Sequence, residues 1–292
     1  MSPVAERGSP QLVLGAVAYD PKVVTIWDGF RAWFRSHGLP LDHVLFSNYE
    51  RQVEALLAGQ VDVAWNSPLA WVRARRAAAA GGQQVAALAM RDSDCDLTSL
   101  VVVRADSDIE DVVDLAGRTV AVGAVDSPQA TLLPLALLGA KGLVAGRDFE
   151  VCRHDIAVGM HGDHVGGERE AARALLAGAV DAACMIDGNH LLFAREGTLP
   201  GEATRVLART ARYDHCNLTA TAAAPPQLVR EFCELLLGMS YDDAELRPLF
   251  ELEGLKEWRL GRTTGYGQLE SAATRLRFYD EEGHVIADGY RP

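Results

Sequence analysis

Residues 54–64 read EALLAGQVDVA and residues 173–183 read RALLAGAVDAA. In both copies an apolar-periodic helix runs into a glycine, Gly59 or Gly178, and the chain then enters a strand that carries Asp directly after Val. One helix–strand unit therefore occurs once in each half of the 292-residue chain, a pattern that predicts two related lobes facing a cleft.

The flanking sequence extends the same grammar. Leu12 to Ala18 (LVLGAVA) is an apolar run of strand length, and after the Asp20-Pro21 turn Ile26, Trp27, Phe30, Trp33 and Phe34 recur at helical spacing, as a core-facing stripe does. Strands are expected at 44–47 and 61–65 with a helix over 49–57 between them. Asn66-Ser67-Pro68 opens the next helix, Ser suiting the N-cap and Pro the first turn. The LVVV core of 97–104 reads as a buried strand. The second half then supplies a short helix over 111–116, a strand over 119–122 and a helix opened by Asp126-Ser127-Pro128-Gln129 that runs to 138. A Gly- and His-rich loop over 158–167, a helix over 168–177 and a strand over 180–185 complete it. Alternating elements with short connections predict an α/β protein of two lobes, each a mainly parallel sheet flanked by helices, with ligands held near helix N-termini.

Composition narrows the function classes. The chain is 49% hydrophobic and 23% charged, with a mean hydropathy of +0.01, an ordinary globular balance. A formal charge of −12 argues against nucleic acid as a partner. No apolar run approaches the ~20 residues that span a bilayer, so the chain is not expected to be membrane-spanning. Five cysteines without scaffold spacing, and the lack of a signal-peptide pattern, suit a cytoplasmic location as the chain stands; removal of a signal peptide makes it periplasmic or extracytoplasmic. Neither a phosphate-loop lysine motif, a GxGxxG fingerprint nor a GxSxG elbow occurs, so nucleotide hydrolysis and hydride transfer have no support.

Three segments, ALLAGQVDVAWNSPLAWV (55–72), LVVVRADSDIEDVVDLAGRTVAVGAVDSPQATLLP (100–134) and REAARALLAGAVDAACMIDG (169–188), resemble the phosphonate, phosphite and phosphate binding components of ABC importers. The resemblance covers most of residues 11–255. It implies the two-lobed type II periplasmic-binding-protein fold, with 1–103 and 213–292 forming the first lobe, 104–212 the second, and hinge segments near 101–106 and 210–220. It also implies a small anionic or zwitterionic ligand in the cleft, an importer permease as partner, and no cofactor. Carried over by position, Asn66 and Ser67 become the first-lobe anion contacts. Asp126, Ser127, Gln129 and Thr131 form the second-lobe opening, Asp187 receives a ligand amino group, and Tyr19 and Tyr49 wall the cleft. Two departures stand out: Leu97 replaces a Tyr, and Gly166-Gly167-Glu168-Arg169 replaces a Gly-Gly-His-Asp segment.

Other constellations carry alternatives. Arg169 offers a bidentate fork for an anion, with Glu168 beside it favouring a zwitterion. His215, with Cys216 and Asn217, sits where the chain crosses back and can reach a ligand. His161, Asp163, His164 and Glu168 form H-x-D-H-x-x-x-E, a weak candidate set for a divalent metal such as Zn²⁺ or Fe²⁺. The leading reading is solute capture without turnover. Its rivals are a ligand sensor and a cytoplasmic enzyme of lyase, decarboxylase or isomerase type, with His161, His164, His190 and Asp187 as acids or bases, metal-assisted through the His161/His164 loop. Cys184, close to Asp187 and His190, is a buried inert thiol in one reading and a thiolate nucleophile in the other.

Overall fold

The computed structural model describes residues 11–162 and 165–291. From the N-terminus come β1 (Leu12–Val17), α1 (Lys22–Ser36), β2 (Leu41–Phe46), α2 (Tyr49–Leu57), β3 (Val63–Asn66), α3 (Pro68–Ala80) and β4 (Val85–Arg91). Next are β5 (Ser99–Arg104), β6 (Thr119–Val122), α4 (Leu133–Ala140), β7 (Glu150–Arg153), α5 (Gly166–Leu176), β8 (Ala182–Ile186), α6 (Asp187–Glu196) and β9 (Thr204–Arg209). The chain then forms β10 (Asn217–Thr221), α7 (Pro226–Leu237), α8 (Arg247–Glu253), β11 (Trp258–Leu260) and α9 (Gly267–Arg275). Two compact units result. The first holds the residues up to Asn66, Gly82–Ser93 and Asn217–Arg262; the second holds Ser67–Gly81, Asp94–Cys216 and the segment from Thr263 onward.

In the first unit six strands run in the order β11-β4-β10-β3-β1-β2; in the second, five run β7-β6-β8-β5-β9. Helices flank both sheets, and most strands of each run in one direction, with β10 and β11 opposed in the first and β5 in the second. β1 pairs in parallel with β2 and β3, whereas β10 pairs antiparallel with β3 and β4, and β11 antiparallel with β4. Likewise β6 is parallel to β7 and β8, while β5 is antiparallel to β8 and β9. The reason lies in connectivity. A right-handed helical crossover keeps successive strands parallel, but β10 reaches its sheet only after the chain has passed through the other unit, so nothing imposes that direction. In the segment expected as a hinge near 101–106, Val101, Val102 and Val103 are fully buried, and β5 lies between β8 and β9.

The repeated sequence has a shared structural job. The Asp62 carboxylate accepts from Val13 N–H at 2.8 Å, and its own N–H donates to Val13 O at 2.8 Å. Asp181 does the same in the second unit, accepting from Thr119 N–H at 2.9 Å and donating to Thr119 O at 2.9 Å. Each Asp thus ties the end of a short helix–strand connection to the neighbouring parallel strand, β1 or β6. That explains why Val-Asp follows the glycine turn twice.

Packing follows the sequence stripes. On α1, Val23, Ile26, Trp27, Phe30 and Phe34 are buried; Phe34 stacks on Phe232 of α7 at 5.0 Å, and Phe30 meets Trp258 edge-on at 6.1 Å. Trp33 is only half-buried and stacks on His37 instead. In the second unit α3 is bound to the C-terminal segment. Arg73 donates to Gly283 O, and Arg76 donates to the carbonyls of Tyr279, Asp280 and Glu270. Residues 263–291, read from sequence as part of the first lobe, are therefore held by the second unit.

Candidate functional site

In the first unit the strand-end polar residues form one chain of hydrogen bonds. Gln52 Nε2 donates to Trp65 O and to Asn66 Oδ1, both at 2.8 Å; Asn66 Nδ2 donates to Thr219 Oγ1 at 2.9 Å; and Thr219 Oγ1 donates to Asn217 Oδ1 at 2.7 Å. All four side chains are fully buried. Asn66, expected as a ligand amide, has both ends of its side chain committed to this network. Sequence reasoning missed two members, Thr219 and Gln52, of which Gln52 carries a sequence signal. Its signal is a polar residue within the buried α2 stripe Tyr49, Val53 and Leu56. Tyr49 begins α2 and is buried, and Tyr19 is half-buried just beyond β1.

The second unit gathers the predicted anion contacts around residues 157–162. Ser67 caps α3 by accepting from Ala70 N–H at 3.1 Å, and its Oγ lies 2.6 Å from His161 Nδ1. Ser127 caps the turn 128–132 by accepting from Ala130 N–H at 3.1 Å. That turn is not the plain helix expected there. Leu132 N–H reaches Ser127 O at 2.9 Å, an i→i+5 step that widens the first turn before α4 begins. Thr131 Oγ1 donates to Ala124 O, and Gln129 Nε2 donates to Gly162 O at 3.0 Å.

Asp126 organises the loop. Its Oδ2 accepts from the N–H groups of Gly159 and His161 at 2.8 and 2.9 Å, while Oδ1 has no hydrogen-bond partner among the described residues. Burial pushes its carboxyl above the usual carboxylate range, only partly offset by His161 and these N–H donors. Ala157, Gly159, His161 and Gly162 all adopt positive φ, a shape that costs about 1 kcal/mol or more for each non-glycine. A Cβ on Gly162 would come within 2.4 Å of Ser127 Oγ and 2.7 Å of its Cα, so only glycine fits that contact.

Other expected site residues are engaged elsewhere. Glu168 is buried, and its Oε2 accepts from Ile186 N–H at 2.9 Å and Asn189 Nδ2 at 3.0 Å, which fixes the β8–α6 junction. Arg169 pairs with Glu196, bonds Thr198 and lies over the Phe193 ring at 4.8 Å. Asp187 accepts from Thr98 Oγ1 at 2.7 Å and lies 3.7 Å from Arg209. The H-x-D-H reading is divided: His161 faces Ser67, Glu168 faces Ile186 and Asn189, and Asp163 and His164 lie outside the described residues. Burial pushes the Cys184 thiol far up, which disfavours its thiolate. His190 is held below the usual imidazole range by burial and by Arg209. His215 is buried, its Nδ1 3.1 Å from Cys216 Sγ and 3.6 Å from Asp94 Oδ1. Asp94 lies in RDSDCD (91–96), a stretch given no role from sequence.

The arrangement suits oxyanion binding. Each serine oxygen accepts a capping N–H at the start of a helix or turn, the kind of opening at which N–H groups hold oxyanions, and the Ser67 hydroxyl is also hydrogen-bonded to His161 Nδ1.

Comparison with known proteins gives a consistent result. The family model described as "ABC transporter, phosphonate, periplasmic substrate-binding protein" matches residues 16–263. Among solved structures, PhnD1 from Prochlorococcus marinus in complex with methylphosphonate is 16% identical, covering 91% of this chain and 98% of that one, with a TM-score of 0.66. XAC2383 from Xanthomonas citri bound to ATP is 19% identical, covering 92% and 98%, with a TM-score of 0.69. The periplasmic aliphatic sulphonate binding protein SsuA from Escherichia coli is 19% identical, covering 92% of each chain, with a TM-score of 0.55. At these identities the structures establish the fold, that of the two-lobed type II periplasmic binding proteins.

Proposed function

Because the chain belongs to the phosphonate substrate-binding family of ABC transporters, and so captures a small solute for a permease, we propose that its ligand is a small tetrahedral oxyanion held at Ser67 and Ser127. The observation that carries this reading is the convergence of both serine-capped openings on one short loop, through the Ser67–His161 hydrogen bond and the Ser127–Gly162 contact. The ligands named with the structural neighbours, methylphosphonate, aliphatic sulphonates and ATP, share tetrahedral oxyanion groups. Glu168 and Arg169 fall outside this proposed contact set, being committed to Ile186 with Asn189 and to Glu196. A ligand amino group is assigned to Asp187, which is only half-buried although Thr98 and Arg209 also engage it. We place the protein outside the cytoplasmic membrane, as the family's description has it; among the described residues no helix is long and apolar enough to cross a membrane.

Calorimetric titration with methylphosphonate, inorganic phosphate and methanesulfonate tests the reading. At least one binds saturably without being consumed. Ser127→Ala and Ser67→Ala each weaken it by about 1–3 kcal/mol, roughly 5- to 150-fold, with thermal unfolding run in parallel because each change also removes a helix cap. Identical dissociation constants in wild type and both variants overturn the assignment of the serines. Silence across the panel overturns the ligand class.

A further inference from the structure

Apart from the proposed anion contacts, three ligating side chains of the second unit meet in its interior: Asp94, His215 and Cys216, with their carboxylate oxygen, imidazole nitrogen and thiol sulfur all within 4.8 Å of one another. All three are buried. We propose that they form a binding site for a thiophilic divalent cation of the Zn²⁺ or Co²⁺ type.

The geometry fits. Ligands that share a tetrahedral zinc at bond lengths of about 2.0–2.3 Å lie about 3.4–3.6 Å apart. Here His215 Nδ1 is 3.1 Å from Cys216 Sγ and 3.6 Å from Asp94 Oδ1, so adjustments of a few tenths of an ångström admit the ion. The donor set of one thiolate, one imidazole and one carboxylate selects against Mg²⁺ and Ca²⁺, which take oxygen ligands.

The backbone positions these donors independently of any ion. His215 N–H donates to Asp94 O at 2.9 Å and Cys216 N–H to Asp94 Oδ1 at 3.2 Å. Tyr266 Oη donates to His215 O at 2.9 Å, and Asp214 N–H to Gly265 O at 3.1 Å. Asp94 and Cys216 are the first and last residues of the long central segment of the second unit. An ion between them ties together chain positions 122 residues apart. On binding, the Cys216 thiol loses its proton to solvent and the sulfur lone pair forms the bond to the metal, so one proton is released and no oxidant or reductant is involved.

The test is a titration of the reduced, metal-free full chain with Co²⁺. A near-ultraviolet thiolate-to-cobalt charge-transfer band with visible ligand-field bands is expected at a single saturating site, and Zn²⁺ should abolish both. Cys216→Ser and Asp94→Asn should lose the charge-transfer band or shift it to much weaker affinity, while Cys95→Ser and Cys233→Ser keep it. In the wild-type protein Zn²⁺ should also slow alkylation of Cys216, read by peptide mass, which needs no variant to fold. No cobalt band, a band that survives Cys216→Ser, or unchanged Cys216 alkylation in saturating Zn²⁺ overturns the site.

Discussion

Gly162 supplies a quantitative test of how the 157–162 loop is seated. Alanine there meets two obstacles: a φ of +69° and a Cβ that falls 2.4 to 2.7 Å from Ser127 Oγ, Cβ and Cα. The first obstacle occurs by itself at Gly142, where φ is +93° and nothing lies within 4 Å of an added Cβ. Gly142→Ala should therefore cost about 1–2 kcal/mol, the left-handed penalty of an L-residue. At Gly162 ordinary contact distances require the loop to withdraw by about an ångström from a backbone atom that cannot yield. That movement breaks the Gln129 Nε2 bond to Gly162 O, leaving buried polar atoms unpaired at about 1–3 kcal/mol. The sum is about 2–5 kcal/mol, so Gly162→Ala should exceed Gly142→Ala by about 1–3 kcal/mol. Urea unfolding of the two variants, followed by tryptophan fluorescence with the m-values compared, measures the difference. Equal losses, within about 0.5 kcal/mol, would refute the close approach of the loop to Ser127.

Asp62→Ala and Asp181→Ala should each destabilise by about 1–3 kcal/mol through an unpaired strand N–H, and, sharing no partner, should add in the double variant; urea unfolding that shows a loss for only one of them breaks the equivalence of the two copies. Asp126 gives a pH signature. Burial raises its folded-state carboxyl above the unfolded value, so the native state binds the extra proton, and its contribution to stability is full below the unfolded pKa of about 3.8–3.9 and is lost as pH rises through the raised one. Asp126→Asn should flatten that fall, and stability profiles of both proteins between pH 4 and neutrality that run parallel count against it.

The parts of the fold legible in sequence are those decided by short-range chemistry. Ser67 and Ser127 read as caps because Ser-Pro leaves few other roles, and both prove to be caps. The doubled ALLAG-x-VD segment reads as one unit used twice, and its aspartates make matching bonds. Strand direction was not legible, since β10 and β5 pair antiparallel with partners far away in sequence, and a run of Val and Ala carries no directional mark. Glu168 and Arg169 gave no legible sign of their partners, for the same reason. Their place at a helix start resembles a ligand-facing turn, yet tertiary partners at Ile186, Asn189 and Glu196 claim them. The Asp94–His215–Cys216 cluster joins two stretches that carry no shared motif, so only folding makes it visible.

The antiparallel place of β10 also bears on how the protein is made. Asn66 and Thr219, which bond each other across β3 and β10, are 153 positions apart. A growing polypeptide therefore displays β3 as an open apolar edge, with Asn66 Nδ2 lacking its Thr219 acceptor, until the ribosome has delivered residue 221. Biosynthesis thus has a long interval in which the first sheet lacks β10 and β11, and β4 has neither of its neighbours to pair with. During that interval a chaperone or a translocation machine meets an unfinished sheet that non-local pairing closes slowly.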